Sequence, residues 1–125
     1  MVSYYEWSAR RDLEAYRPHL ERNDTRQRTI RALRNMLRRN QRIIEKNQHK
    51  LSITIDVGNH LEDQLEDIED GKTHTDLNEK QRQALIKKLE DRMELLDARY
   101  GDYHGRIEDA QAKNKVIEEM LSEYE

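Results

Sequence analysis

The sequence has no cysteine, only one proline and only four glycines among its 125 residues. The lack of cysteine excludes a disulfide framework, a thiol nucleophile and a cysteine-ligated zinc or iron–sulfur site. Because Pro18 is the only proline, few positions force a helix to end. The hydrophobic fraction is 34% and the charged fraction 39%, which is too polar for a thick globular core. These shortages together favour long helices in a slender bundle.

The sequence also lacks a long apolar run. Residues 2–7 (VSYYEW) have neither a basic flank nor an apolar stretch, so we expect no cleaved export signal. We also expect no membrane span. Cytoplasmic residence is therefore predicted, with export without a cleaved leader as the alternative.

What the sequence does contain is a seven-residue hydrophobic repeat that occurs twice. In the first repeat, the a and d positions are Ile30, Leu33, Leu37, Asn40, Ile44, Asn47, Leu51, Thr54, Gly58, Leu61, Leu65 and Ile68. In the second, they are Ile86, Leu89, Met93, Leu96, Tyr100, Tyr103, Ile107, Ala110, Asn114, Ile117, Leu121 and Tyr124. A disordered chain has no such phased stripe. A spacing of about 3.5 residues held this long predicts a coiled coil.

A short polar link separates the two repeats and predicts a hairpin. Gly71 is placed to end the first arm in a left-handed conformation, and Asp76 with Glu79 has capping-box spacing for the start of the second. Asp24 with Gln27 has the same spacing at the start of the first arm. Because so short a link leaves neighbouring helices antiparallel, we predict a hairpin over 23–125 with arms at about 25–70 and 76–124.

Residues 1–22 are predicted to form a separate N-terminal helix and linker. Tyr5, Ala9, Leu13 and Tyr16 follow helical spacing over residues 3–17, and Pro18 should interrupt or kink this helix. The predicted fold class is therefore all-α, a long antiparallel two-helix coiled-coil hairpin with a short N-terminal helix. A three-helix bundle and a dimeric four-helix arrangement are both compatible with it.

One segment carries a conflicting signal. Residues 51–57 (LSITIDV) alternate apolar and polar side chains and precede Gly58 and Asn59, which is typical of a strand and turn. The heptad repeat passes through the same segment without slipping. We therefore predict that it is helical.

The first arm also carries a run of positive charge, here called the basic ridge. It comprises Arg26, Arg28, Arg31, Arg34, Arg38, Arg39, Arg42, Lys46 and Lys50, with Glu45 as the single acid among them. Most of these residues occupy outward heptad positions, so we expect the second arm to leave them unneutralised. The residues around the turn are acidic instead.

Three interpretations of the basic ridge remain open. It is a solvated face, or a docking surface for an acidic protein or for the acidic turn of a second copy, or a nucleic-acid contact. The net charge of −3 and the absence of aromatic residues between the arginines make nucleic acid the weakest of the three.

Extra apolar side chains beside the first seam indicate a partner. Met36, Ile43, Ile53, Ile55 and Val57 widen the stripe beyond what one neighbouring helix covers. The N-terminal helix could cover Met36 and Ile43, whereas Ile53 and Val57 call for a second copy or a foreign helix. Aromatic residues near the N-terminus are further docking candidates, or fold back on the end of the hairpin near Ile117. The predicted partner-binding residues are Arg31, Arg38, Arg39, Arg42, Lys46, Ile43, Ile53, Val57, Tyr4, Tyr5 and Trp7.

Catalysis is not expected. The five histidines show no metal-ligand spacing, and only His74 with Asp76 or His104 with Asp102 could hold a metal weakly. No phosphate-binding loop or serine nucleophile motif occurs. We therefore predict no enzyme activity, no metal and no cofactor.

The predicted function is that of an adaptor, assembly factor or chaperone-like partner of a larger protein, bound through helix–helix contacts. The architecture resembles, in shape, the helical-hairpin partners of type VII secretion effectors and the helical export chaperones of type III systems. The Trp-x-Gly turn of many type VII proteins is absent, since Ser8 and Ala9 follow Trp7, so no functional residue is transferred. A nucleic-acid-binding or regulatory protein and a structural homodimer are the alternatives.

Overall fold

The computed structural model describes residues 3–22, without the Arg22 side chain, and 25–125. This part of the chain contains three α-helices and no strand: α1 (Tyr4–Arg22), α2 (Arg26–Glu69) and α3 (Glu79–Tyr124). The predicted all-α class is confirmed, since α2 and α3 pack as a hairpin and α1 adds the short N-terminal helix. The boundary predicted between residues 22 and 23, and the capping box predicted at Asp24, lie outside the described residues.

The segment with strand-like composition is helical. Residues 51–58 lie inside α2, where the Thr54 hydroxyl donates to the Lys50 carbonyl at 2.8 Å. The long-range period of the apolar residues therefore outweighs local β-propensity, which depends on packing context more than on the backbone.

A glycine in the left-handed conformation ends α2. Gly71 has φ of +71°, its N–H donates to the Ile68 carbonyl at 3.2 Å, and the Lys72 N–H donates to the Asp67 carbonyl at 2.9 Å. This pair of bonds is a Schellman motif, and it satisfies carbonyls that the helix end leaves without partners. The predicted role of Gly71 is confirmed.

The second arm begins three residues later than predicted. The Asn78 side chain accepts from the Gln81 N–H at 2.8 Å, while the Gln81 side chain accepts from the Asn78 N–H at 3.1 Å. Asn78 is therefore the helix cap, and the capping box predicted at Asp76 and Glu79 is wrong. Both sites carry suitable residues, and His74 with φ of +54° keeps the chain irregular up to Leu77.

Pro18 does not interrupt α1, which extends beyond the predicted residues 3–17 and continues through Pro18 to Arg22; the alternative prediction of a kink stays a prediction. Proline removes one helical hydrogen bond and crowds the preceding turn. Burial offsets this cost, because Leu20 is in the core and its carbonyl accepts from the buried Thr29 hydroxyl at 3.3 Å.

The chain divides into two compact units, and α2 and α3 each contribute to both. The first unit comprises the described residues up to Gln48 together with His104–Glu125. It is a bundle of α1 with parts of α2 and α3. Its buried core consists of Ala9, Leu13, Leu20, Leu33, Ala112, Val116, Ile117, Met120 and Leu121.

Ion pairs between α1 and α3 flank this core. Glu6 meets Lys115 and Arg10 meets Glu119, each at 2.9 Å, and further along Arg17 meets Glu123 at 2.6 Å. Residue numbers increase in the same direction along both helices in these pairs, so α1 and α3 are parallel. The hydrogen bond and charge of the Arg17 guanidinium lower the pKa of the Glu123 carboxyl.

The second unit, His49–Tyr103, contains only two helices and the turn between them. Its buried core is smaller and consists of Leu61, Ile68, Ile86 and Leu89. At the turn, Arg82 of α3 donates to the carbonyl of Glu69 at 3.0 Å, which satisfies the end of α2 further.

Candidate protein-interaction site

An apolar groove runs between α2 and α3 in the second unit. It has a volume of about 290 Å3, and its lining side chains are Lys50, Ile53, Thr54, Val57, Arg92, Leu95, Leu96, Arg99 and Tyr103. Leu95 is 52% exposed, Ile53 49% and Val57 36%. We call this surface the basic groove. Because these three large aliphatic side chains lie close together and are only partly buried, we treat the groove as a candidate contact surface.

These aliphatic residues stay exposed because a pair of helices buries only the stripe between them. Thr54 and Leu96 lie on that stripe, while Ile53 and Leu95 precede them by one residue and are turned by about 100° toward one side. A third helix would cover such positions. Within this unit no third helix is present.

The charges around the basic groove have one sign. Lys50, Arg92 and Arg99 line it, and no carboxylate does. Lys50 lies 5.6 Å from the Tyr103 ring centroid, a cation–π contact. Arg92 and Arg99 make no ion pair with any other described residue. The groove therefore combines an apolar floor with an unneutralised positive rim.

Sequence reasoning found Ile53 and Val57 but missed Leu95, Arg92 and Arg99. In an antiparallel pair, the g positions of both helices fall on the same side. Heptad position g is occupied by Lys50 and Val57 on α2 and by Arg92 and Arg99 on α3. Position c is occupied by Ile53 and Leu95. Comparing the g and c positions of the two repeats, rather than those of the first alone, would have found the whole groove.

The first unit has a groove of its own, of about 570 Å3. Its lining includes Tyr16 of α1, Met36, Arg39 and Ile43 of α2, and Lys113 of α3. As predicted, Met36 packs against the core next to α1. Ile43 is left exposed instead, so α1 covers only one of the two residues assigned to it.

Part of the basic ridge is neutralised, contrary to the prediction that α3 would leave it free. Arg34 pairs with the Glu125 carboxylate at 2.9 Å, and Arg26 donates to the backbone carbonyls of Tyr124 and Glu125. These contacts arise because the start of α2 and the end of α3 meet in the first unit. The five cations of the ridge that were predicted to bind a partner are exposed and make no ion pair with a described residue: Arg31, Arg38, Arg39, Arg42 and Lys46.

The aromatic residues of α1 divide between core and surface. Tyr5 packs against the core of the first unit, and its hydroxyl lies close to Gly105. Tyr4 and Trp7 are exposed, with ring centroids 6.2 Å apart, and Arg11 lies 4.8 Å from the Trp7 ring centroid. Tyr5 thus contributes to the core, whereas Tyr4 and Trp7 are the more exposed of the three predicted docking residues.

Among the described residues, no group of three metal-ligating side chains converges. His104 instead lies 3.0 Å from Glu108 one turn along α3. In the same part of the chain, none of the three helices has an apolar stretch of the length needed to cross a bilayer.

Comparisons of the chain with protein-family models, curated proteins and solved structures found no match. The fold places the protein in the class of all-α helical hairpins with an additional N-terminal helix. Its function is therefore inferred from the chemistry of its surfaces.

Proposed function

We propose that this protein is a non-enzymatic interaction protein that binds a helix of a larger partner in the basic groove. Such a protein acts as an adaptor, assembly factor or chaperone-like partner. The observation that carries the proposal is the exposure of Ile53, Val57 and Leu95 along one groove of a unit with only two helices.

The spacing of these residues suits a helix laid along the groove. Ile53 and Val57 are one turn apart on α2 and face Leu95 across the seam. A partner helix with apolar residues at i, i+3 or i+4 and i+7 would fill the same length. It would also replace the missing third helix of the unit.

The rim indicates the chemistry of that partner helix. Lys50, Arg92 and Arg99 would repel lysine and arginine and favour glutamate and aspartate beside the apolar stripe. We therefore expect an amphipathic helix with acidic flanks. A partner of a secretion-system substrate is one specific version of this role, supported only by resemblance of the hairpin fold.

The test compares two substitutions in the groove, Leu95→Asp on α3 and Ile53→Asp on α2, with a control substitution outside it. Leu95→Asp places a charge in the groove, whereas Ala98→Asp places one on an exposed position that does not line it. Tagged wild-type and variant chains are expressed in the host, and their co-purifying proteins are quantified by mass spectrometry. A protein retained by wild type and Ala98→Asp but lost from Leu95→Asp and Ile53→Asp is expected. Identical sets of captured proteins for all four chains would contradict the proposal.

A nucleic-acid role is the second candidate, favoured by the five unpaired cations of the basic ridge. Phosphate contacts make affinity fall steeply with salt, because each neutralised phosphate releases a counterion. Binding to an RNA or DNA probe should then weaken strongly between low and physiological salt and be reduced by Arg38→Glu with Arg42→Glu. A gel shift with a flat salt response would eliminate this candidate.

A further inference from the structure

The two-helix unit has a second groove on the opposite side of its seam. This groove, of about 180 Å3, is lined by Thr54, Ile55, Gly58, Asn59, Glu62, Met93, Leu96, Asp97 and Tyr100. Thr54 and Leu96 line both grooves. Ile53 and Ile55 flank Thr54, and since each residue turns a helix by about 100°, they point to opposite sides. The unit is therefore a layer with two distinct faces.

This second face, here called the acidic face, has exposed apolar residues and a negative rim. Ile55 is 45% exposed and Tyr100 41%. Glu62 and Asp97 line the groove, and no cation does. Glu66, four residues beyond Glu62, and Glu90, two turns before Asp97, are exposed on the same side by helical periodicity.

The basic groove also has exposed apolar residues, and its rim carries the opposite charge. Its rim of Lys50, Arg92 and Arg99 is extended by Lys88, which is exposed one turn before Arg92. Among the residues that line the two grooves, each set thus places aliphatic or aromatic side chains between charges of a single sign, and the two signs are opposite.

We propose that the occupant of the basic groove, when no foreign partner is present, is the acidic face of a second copy of this chain. The contact is heterologous, since two different surfaces meet. Pairing of two basic grooves, or of two acidic faces, would bring like charges together beside the apolar contact and is disfavoured. The inference shares the basic groove with the proposed function, and a foreign helix would compete with the second copy.

Light scattering on the purified full-length chain tests the idea first. The mass should rise above the chain mass of 15.1 kDa as concentration increases. It should return to that value in about 1 M salt, where the Debye length is only about 3 Å and rim charges are screened. A mass of one chain at every concentration would overturn the inference, and so would association that salt does not weaken.

Two variants then separate the faces. Leu95→Asp disables the basic groove and Ile55→Asp disables the acidic face, so each alone should remain monomeric. An equimolar mixture should form a dimer of twice 15.1 kDa and nothing larger, because each variant supplies the surface that the other lacks. Ala98→Asp, at an exposed position outside both grooves, should associate like wild type. Circular dichroism confirms that each variant is helical.

Several results would contradict a contact between unlike faces. Monomers in the mixture would do so, as would loss of association with only one of the two variants, which indicates like-face pairing. None of these outcomes bears on the proposed function, because the purified chain contains no foreign partner. The proposed function is tested separately: it fails if Leu95→Asp captures the same host proteins as the wild-type chain.

Discussion

At the scale of single residues, Tyr124 links two helices through its hydroxyl. The hydroxyl donates to the Glu21 carboxylate, and burial together with this bond raises the pKa of Tyr124 from 10.0 to about 12. The unfolded chain then loses this proton at lower pH than the folded one. The stability contributed by this buried, protonated hydroxyl is therefore complete below pH 10 and lost as pH rises toward 12.

The measurement is the pH dependence of unfolding for wild type and Tyr124→Phe. The stability advantage of wild type should shrink from pH 10 to 12, and a tyrosinate absorbance step near 12 should be missing from the variant. Tyr16→Phe removes an exposed tyrosine and serves as control. If the stability difference between wild type and Tyr124→Phe stayed constant from pH 10 to 12, the contact with α1 would not raise the pKa of Tyr124.

Asn47 is a buried polar residue at a seam position, and we expect it to cost stability. Its side chain is 4% exposed and its amide donates to the Ile43 carbonyl at 2.7 Å, but its buried Oδ1 has no partner. A buried acceptor without a bond costs roughly 1–3 kcal/mol. A polar residue in a seam fixes register by making other alignments worse.

We expect Asn47→Leu to raise the free energy of unfolding by about 1 kcal/mol, because an unsatisfied acceptor is replaced by an apolar group. Urea denaturation measures the change. Asn40→Leu, at the preceding d position and less buried, should change stability less. A large loss of stability in Asn47→Leu would show that the amide is better satisfied than its contacts indicate.

At the scale of secondary-structure elements, two glycines should respond to alanine in opposite directions. Gly71 has φ of +71°, so Gly71→Ala should lower the free energy of unfolding by roughly 1 kcal/mol. Gly101 lies inside α3 with no atom within 4 Å of an added Cβ, so Gly101→Ala should raise it by about 1 kcal/mol. Urea denaturation of both variants measures the two changes in the free energy of unfolding. If both substitutions changed the free energy of unfolding in the same direction, either the Schellman motif at Gly71 or the uninterrupted helix at Gly101 would be contradicted.

The sequence predicted the elements well wherever one signal determined the structure. The heptads through residues 51–58 and the single glycine at the end of α2 were sufficient, because each indicated one structure. The start of α3 was not predictable, since Asp76 and Asn78 both have capping partners three residues on. Leu20 continues the helical spacing of Leu13 and Tyr16, but the sequence does not show whether burial of Leu20 outweighs the local cost of Pro18.

At the scale of the whole molecule, the two units differ in how much they bury. The first packs a third helix over Val116, Ile117 and Met120, whereas the second has a smaller core between two helices. Local opening is easier where fewer apolar groups are buried. We expect amides near Val116 to exchange more slowly with solvent than amides near Leu95, although both lie in α3. Hydrogen-exchange mass spectrometry measures this, and equal protection would contradict it.

The candidate site was only partly predictable for a reason that belongs to the whole molecule. Ile53 and Val57 stood out because they widen the stripe of one helix. Arg92, Arg99 and Leu95 look like an ordinary solvated surface until α3 is aligned with α2, and the charge of the groove depends on both helices together.

The most direct test of the account places a photo-crosslinking amino acid at position 95 or position 98 of the full chain in its host. The central claim is that the groove between Ile53, Val57 and Leu95 holds a helix. A discrete crosslinked product from position 95, absent from position 98 and attached to an amphipathic helix with acidic flanks, is the expected result. Equal crosslinking from both positions, or none from position 95, would contradict it.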